Sequence, residues 1–163
     1  MASEKQIEKQ PFKGKVAIMV GASEGIGKAC AKEFIQLGGS VLIIARRIEV
    51  LKEATAEIKE LAPSENQFVE HISCDATDLE RLKPLLEGFI KKHGVPDYLF
   101  NVVGYALPDY VENYTLEDFK KNMDVNYYGQ LVPILILLPH FKREGRGHFI
   151  NFSSMMGYFG IMG

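Results

Sequence analysis

Val16-Ala-Ile-Met-Val-Gly-Ala-Ser-Glu-Gly-Ile-Gly-Lys28 is the stretch that decides the fold. An apolar run rich in β-branched residues, 16–20, stops at three glycines, Gly21, Gly25 and Gly27. A helical pattern follows through Ala29, Phe34 and Leu37. Strand, glycine turn and helix together aim backbone N–H groups and the positive end of a helix at a phosphate. The spacing G-x-x-x-G-x-G is not that of a P-loop, because Ala29 stands where a magnesium-binding Ser or Thr is needed. The third glycine of G-x-G-x-x-G is also missing. Ser23, Glu24 and Ile26 lie between the glycines and join them as candidate nucleotide contacts. The plain alternative is a βα turn that holds nothing.

Outward from this stretch, apolar runs alternate with helical patterns. Strands are expected at 16–20, 41–45, 68–73, 98–102 and 148–152, and helices at 25–37, 49–61, 79–93 and 115–143. Gly38-Gly39 ends the first helix, and Thr77-Asp-Leu-Glu80 reads as a capping box for the third. Such alternation predicts an α/β fold, a Rossmann-type doubly wound parallel sheet with helices on both faces. Residues 1–14 read as a polar lead-in and 15–163 as one NADP(H)-binding domain, incomplete at its C-terminal end. The tyrosine-rich loop 105–114 follows the fourth strand at the end where such sheets bind ligands. Residues 131–138 are apolar all round, whereas a helix on a sheet needs one apolar face. The second face is expected to bury against another subunit in a homodimer or homotetramer, or under a later part of the chain.

Composition narrows the partners. Of 163 residues, 47% are hydrophobic and 25% charged, which suits a soluble globular chain. A net charge of −2 with no basic stripe argues against nucleic acid. The longest apolar run, 131–139, is too short to be a transmembrane segment, and residues 1–10 carry no secretion signal. Cys30 and Cys74 are too few for a disulfide framework or a metal site and read as reduced thiols of a cytoplasmic protein. His71, His93, His140 and His148 show no ligand spacing and are expected at the surface or at edges.

The second strand should end at the ribose of a bound dinucleotide. An Asp or Glu there would accept from a 2′-hydroxyl and favour NAD. The strand instead ends Ile44-Ala45-Arg46-Arg47. Guanidinium suits a phosphate through charge and bidentate geometry, so the expected cofactor is NADP(H), with Arg46 on the 2′-phosphate and Ser23 as helper. The alternative makes Arg46 and Arg47 the solvated start of the next helix. Asp75 and Ala76 end the third strand, where a carboxylate can accept from the adenine amino group; the alternative for Asp75 is an N-cap role. Asn101, Val102 and Gly104 end the fourth strand, where glycine lets backbone approach the nicotinamide ribose.

Together Gly21-Ala-Ser-Glu-Gly-Ile-Gly27, Asp75, Asn101-Val-Val-Gly104, Asn126 in Met123-Asp-Val-Asn-Tyr-Tyr-Gly129, and Ser154 in Asn151-Phe-Ser-Ser-Met-Met-Gly157 resemble the short-chain dehydrogenases/reductases. The resemblance spans 15–163 and implies a Rossmann-type fold, a nicotinamide cofactor and a carbonyl/alcohol oxidoreductase acting on a small-molecule ketone or alcohol. Ala45-Arg46 and Pro133 make the chain most similar to the 3-ketodihydrosphingosine (3-dehydrosphinganine) reductases, which implies a lipid ketone; the alternative is a 3-oxoacyl or steroid-type reductase of the same family. Val102 and Val103 depart from the family's Asn-Asn-Ala-Gly, and Val20 from its Thr. The resemblance assigns Ser154 to the substrate carbonyl oxygen and Asn126 to a water in the proton relay. It sets the catalytic Tyr-x-x-x-Lys about four positions beyond Gly163, so the 163-residue chain is expected to bind dinucleotide without reducing a ketone. A non-catalytic dinucleotide-binding module is the reading from a different class.

Overall fold

The computed structural model describes residues 10–159. Five parallel strands, β1 (Val16–Val20), β2 (Ser40–Ala45), β3 (Val69–Ser73), β4 (Tyr98–Asn101) and β5 (His148–Asn151), form one sheet in the order β3-β2-β1-β4-β5. The crossovers carry α1 (Gly25–Gln36), α2 (Ile48–Lys59), α3 (Leu79–His93), and α4 (Leu116–Met123) continuing into α5 (Gly129–Glu144). This is the expected doubly wound α/β fold.

Alternation along the central strands sorts the core into two halves. Ile18, Val20, Leu42 and Ile44 face Leu82, Leu86 and Phe89 of α3 and Val132, Ile136, Leu137 and Phe141 of α5. Ala17, Met19, Val41 and Ile43 face Ala31, Phe34 and Ile35 of α1 and Leu51, Ala54 and Ile58 of α2. Burial of β1 and β2 on both faces explains why they read as unbroken apolar runs. At about 25 cal/mol per Å² of apolar surface, each such Ile or Leu stabilises the fold by roughly 2 kcal/mol.

At the opposite end of the strands, Asp97 ties the sheet together. It accepts from Val16 N at 3.0 Å and pairs with Lys15 at 3.1 Å and Arg146 at 2.5 Å. The domain also begins earlier than residue 15. Phe12 stacks on Phe34 at 4.4 Å, and its N–H donates to Leu37 O. Residues 1–9 of the expected lead-in lie outside the described residues.

Three sequence expectations need correction. The third helix is capped by Asp78, whose carboxylate accepts from Arg81 N at 3.0 Å, and not by Thr77. Thr77 is engaged by Asp75, which accepts from both its N–H and its hydroxyl. The helix expected at 115–143 is interrupted by a π-helical segment, Asp124–Tyr128, that joins α4 to α5. His140 is buried at 8% exposure: Nε2–H donates to Glu87 at 3.1 Å and Nδ1 accepts from Arg143 at 2.9 Å. No helix among the described residues is long and apolar enough to cross a membrane. Cys30 and Cys74 are free thiols, and burial pushes both thiol pKa values up.

Candidate active site

The strand order turns back at β1, with β2 on one side and β4 on the other, and ligands of such sheets bind in the crevice outside the strand ends there. A cleft of about 230 Å³ opens at that position. Gly21, Ser23 and Glu24 form its floor, Arg46, Arg47, Asp75 and Ala76 one wall, and Val102, Gly104, Val125 and Gly129 the other.

The floor is built from backbone because nothing larger fits. A Cβ on Gly21 would stand 2.7 Å from Val103 N, and one on Gly27 would stand 2.4 Å from Gly21 O. The turn therefore folds tightly on itself and on the end of β4. No side chain caps α1, and its first turn carries no acid. The N–H groups at that helix end thus stay open toward an anion. This uncapped end and the tight glycine turn fit the pyrophosphate of a dinucleotide. Ile26 leaves the first turn toward solvent at 64% exposure, outside the cleft lining.

At the far wall, Arg46 and Arg47 follow β2 directly. The Arg46 guanidinium lies 3.9 Å from Asp75, and Arg47 pairs with Glu24. Cys74 lines the cleft beside Asp75, and its thiol donates to Asp75 O. Asn101 is placed elsewhere. It is fully buried, and its Nδ2 donates to Gln130 O at 3.1 Å and Asn151 Oδ1 at 2.9 Å. The side chain ties β4 to β5 and α5, and its own Oδ1 is buried with no partner.

Asn126 sits in the π-helical segment with its amide fully engaged. Oδ1 accepts from Tyr105 N at 2.9 Å, and Nδ2 donates to Tyr105 O at 2.8 Å and Asn122 Oδ1 at 3.0 Å. The amide thus pairs with the Tyr105 backbone as a neighbouring strand would. It pins the start of the loop 105–114, and Lys121 Nζ stands 4.5 Å over the Tyr105 ring. Ser154 lies exposed just past β5, where its hydroxyl oxygen accepts from Met156 N at 3.2 Å and caps a short 3₁₀ turn, Met155–Gly157.

Gln130 is a further polar residue at this end, not foreseen from sequence. Its Nε2 donates to Phe152 O at 3.0 Å and Val103 O at 3.4 Å. It thereby holds the segments leading to Ser154 and Gly104 against α5. Its signal was available: a glutamine heads the apolar run 131–138.

A family model described as short chain dehydrogenase matches residues 15–163. A fatty acyl-CoA reductase of Acinetobacter baylyi is 34% identical over 149 residues, covering 90% of this chain and 49% of that protein. A 3-dehydrosphinganine reductase of Danio rerio is 31% identical over 160 residues, covering 96% of this chain and 48% of that protein. The structure of NAD+-bound xylitol dehydrogenase superposes with a TM-score of 0.86 at 26% identity, covering 93% of this chain and 57% of that one. The chain thus spans about half the length of these relatives. The match over residues 15–163 shows that the chain belongs to the short-chain dehydrogenase family.

Proposed function

We propose that this chain carries the cofactor-binding part of an NADP(H)-dependent reductase that converts a ketone to an alcohol. The observation that carries the reading is the cleft itself: a tight glycine turn at an uncapped helix end, with two guanidiniums and no acid directly after β2. The family alone leaves the choice of dinucleotide open, since a superposable relative holds NAD+. Arg46 is the residue that favours the 2′-phosphate form, with Arg47 and the buried Ser23 beside it.

A bound nicotinamide supplies hydride to the carbonyl carbon. The chain's own residues then have separable tasks. Gly21, Gly25 and Gly27 let backbone N–H groups reach the pyrophosphate. Asp75, held rigid by Thr77, accepts from the adenine amino group, and Ala76 and Val102 flank the bases. Gly104 leaves room for the nicotinamide ribose. Ser154 Oγ–H donates to the carbonyl oxygen, where negative charge builds. Asn126 keeps the 105–114 wall in place and borders the proton path from its π-helical segment.

The substrate class we favour is a long-chain ketone such as 3-ketodihydrosphingosine. Leu107 at 41%, Tyr110 at 62% and Val111 at 71% exposure make the loop an apolar wall. Two relatives carry names that point to lipid substrates. On α5, Leu135 and Leu138 remain 51% and 39% exposed behind the buried Val132 and Ile136, which supports packing against a second copy. Sedimentation as a monomer at micromolar concentration would remove that part of the reading. The reduced thiols suit a cytoplasmic setting.

The test is fluorescence titration of the 163-residue chain with NADPH and NADH. NADPH is expected to bind about tenfold more tightly, a difference worth ~1.4 kcal/mol, and Arg46→Ala should erase it. Equal dissociation constants would overturn the cofactor assignment. Steady NADPH oxidation by this chain with 3-ketodihydrosphingosine would overturn the view that the proton donor lies outside it.

A further inference from the structure

The mouth of the cleft carries four charged groups in two pairs. Asp75 stands 3.9 Å from Arg46, and Glu24 pairs directly with Arg47. The second pair is unusual in where its acid comes from. Glu24 occupies the N-cap position of α1, where a carboxylate ordinarily accepts from the open N–H groups of the first turn. It makes no such bond. It reaches across the cleft from the glycine turn to Arg47, the second residue past the end of β2. Both side chains are more than half exposed, at 57% for Glu24 and 65% for Arg47, so the pair adds little to folding.

We propose that Glu24 sets the strength of 2′-phosphate selection by competing with that phosphate for Arg47. The proposal rests on the reading that Arg46 and Arg47 receive the 2′-phosphate. Arg47 donates to Glu24 Oε2 from Nη2, the nitrogen that both bidentate edges of the guanidinium share. A phosphate monoester near neutral pH carries close to two negative charges. To bind Arg47 in bidentate fashion it must displace the Glu24 carboxylate from Nη2. Anchored in the glycine turn, that carboxylate then remains beside the phosphate as a like charge. With Glu24 and Asp75 ionised, the four groups sum to no net charge, so the mouth offers less attraction than two free guanidiniums would. A dinucleotide with a 2′-hydroxyl does not enter this contest. Glu24 therefore weakens binding of NADPH and leaves binding of NADH nearly untouched, which keeps the preference moderate.

Glu24→Gln retains the size and removes the charge. In titrations of the full chain it is expected to tighten NADPH about fivefold while NADH moves less than about twofold, a contrast that shrinks as salt rises. The pair 2′,5′-ADP and 5′-AMP, measured by calorimetry, should repeat the contrast without the nicotinamide half. In the Arg47→Ala background the gain from Glu24→Gln should largely vanish. Thermal unfolding checks that each variant is folded, as expected for exposed side chains.

An unchanged NADPH-to-NADH ratio in Glu24→Gln overturns the proposal, as does a gain that persists in full without Arg47. Weaker NADPH binding also overturns it, because Glu24 would then orient Arg47 toward the phosphate. Arg46→Ala separates the two levels of failure. If it abolishes NADPH preference while Glu24→Gln changes nothing, only the role of Glu24 falls. If wild type and Arg46→Ala both bind the two dinucleotides alike, the cofactor reading beneath it falls.

Discussion

Two regions face the cleft, and they are specified by opposite means. In the first, β1 and α1 with the turn between them, the functional surface is backbone. Sterics alone select the sequence: Gly21 and Gly27 have main-chain atoms at 2.7 and 2.4 Å from where a Cβ would stand. In the second, from Gly104 to Gly129 and beyond β5, Gly104, Val125 and Gly129 line the cleft and neighbouring polar side chains hold the segments in place. These side chains act by hydrogen bonds to backbone more than by burial. Asn126 pairs with Tyr105, Gln130 spans Val103 and Phe152, and Ser154 caps its own turn. A Cβ on Gly104 would meet only Asn126 Oδ1, at an ordinary 3.5 Å. The contrast teaches that the phosphate recognition proposed for the turn would be a property of the folded core. Whatever meets the substrate is mounted on a softer, polar scaffold.

The harshest way to break this comparison is to place one methyl in each region. Gly27→Ala drives a carbon into the Gly21 carbonyl, and neither partner is a side chain that can swing away. We expect a loss of at least about 3 kcal/mol in urea unfolding, with nucleotide binding abolished. Gly104→Ala should cost less than about 1 kcal/mol in the same unfolding measurement. Comparable losses from both would show that the second region is packed as tightly as the first.

A middle-sized effect should come from Asn126→Ala. It removes two bonds to the Tyr105 backbone and leaves that peptide group unpaired. The expected cost is about 1 to 3 kcal/mol, felt locally. Amide exchange should quicken at Tyr105 and through 105–114, while NADPH affinity moves less than about threefold because the glycine turn is separate. If the loop keeps its protection, the Asn126 clasp is not what holds it.

How far the sequence could be read follows the same divide. β1 and α3 are found at the expected residues, and β2, β3 and β4 lie within one residue of them, because burial on one or both faces leaves period and composition as a trace. The glycine turn was readable because steric exclusion writes itself directly into residue type. The π-helical segment was not. Nothing in Asp124-Val-Asn-Tyr-Tyr128 distinguishes one extra residue in a helical turn from a regular one, although Asn126 stood out as polar. His140 looked like a surface residue because its partners are remote or unremarkable in sequence. It lies between Glu87 of α3 and Arg143 of its own helix, bonded to each. Glu24 reaching Arg47 is likewise a contact between residues 23 positions apart. Local pattern cannot reveal such pairs.

The smallest expected effect concerns acid. At the start of α4, Asp118 accepts from Thr115 N at 2.9 Å and from its hydroxyl at 2.6 Å, while Asp118 N donates back to Thr115 Oγ1 at 3.3 Å. The hydroxyl bond first, and the backbone bond second, hold this carboxyl below its ordinary value of 3.8. A lowered pKa in the fold means that the carboxylate stabilises the native state above the ordinary value. That contribution is lost as pH falls through the lower, native value. The capping box should therefore be intact from neutrality down to about pH 4 and loosen only below it. Helix α1 has no acid in its first turn, and its N-cap residue Glu24 makes no side-chain bond to the helix start. Chemical shifts of the Thr115 and Asp118 amides should titrate together below about pH 4, while in a Glu24→Gln background, free of the carboxylate next to Gly25, those of Gly25 and Gly27 stay level. In Asp118→Asn, the low-pH change at Thr115 should disappear and the helix start should be weaker already at pH 7. If the glycine-turn amides move in step with Thr115, the two regions are coupled and the division between them does not hold.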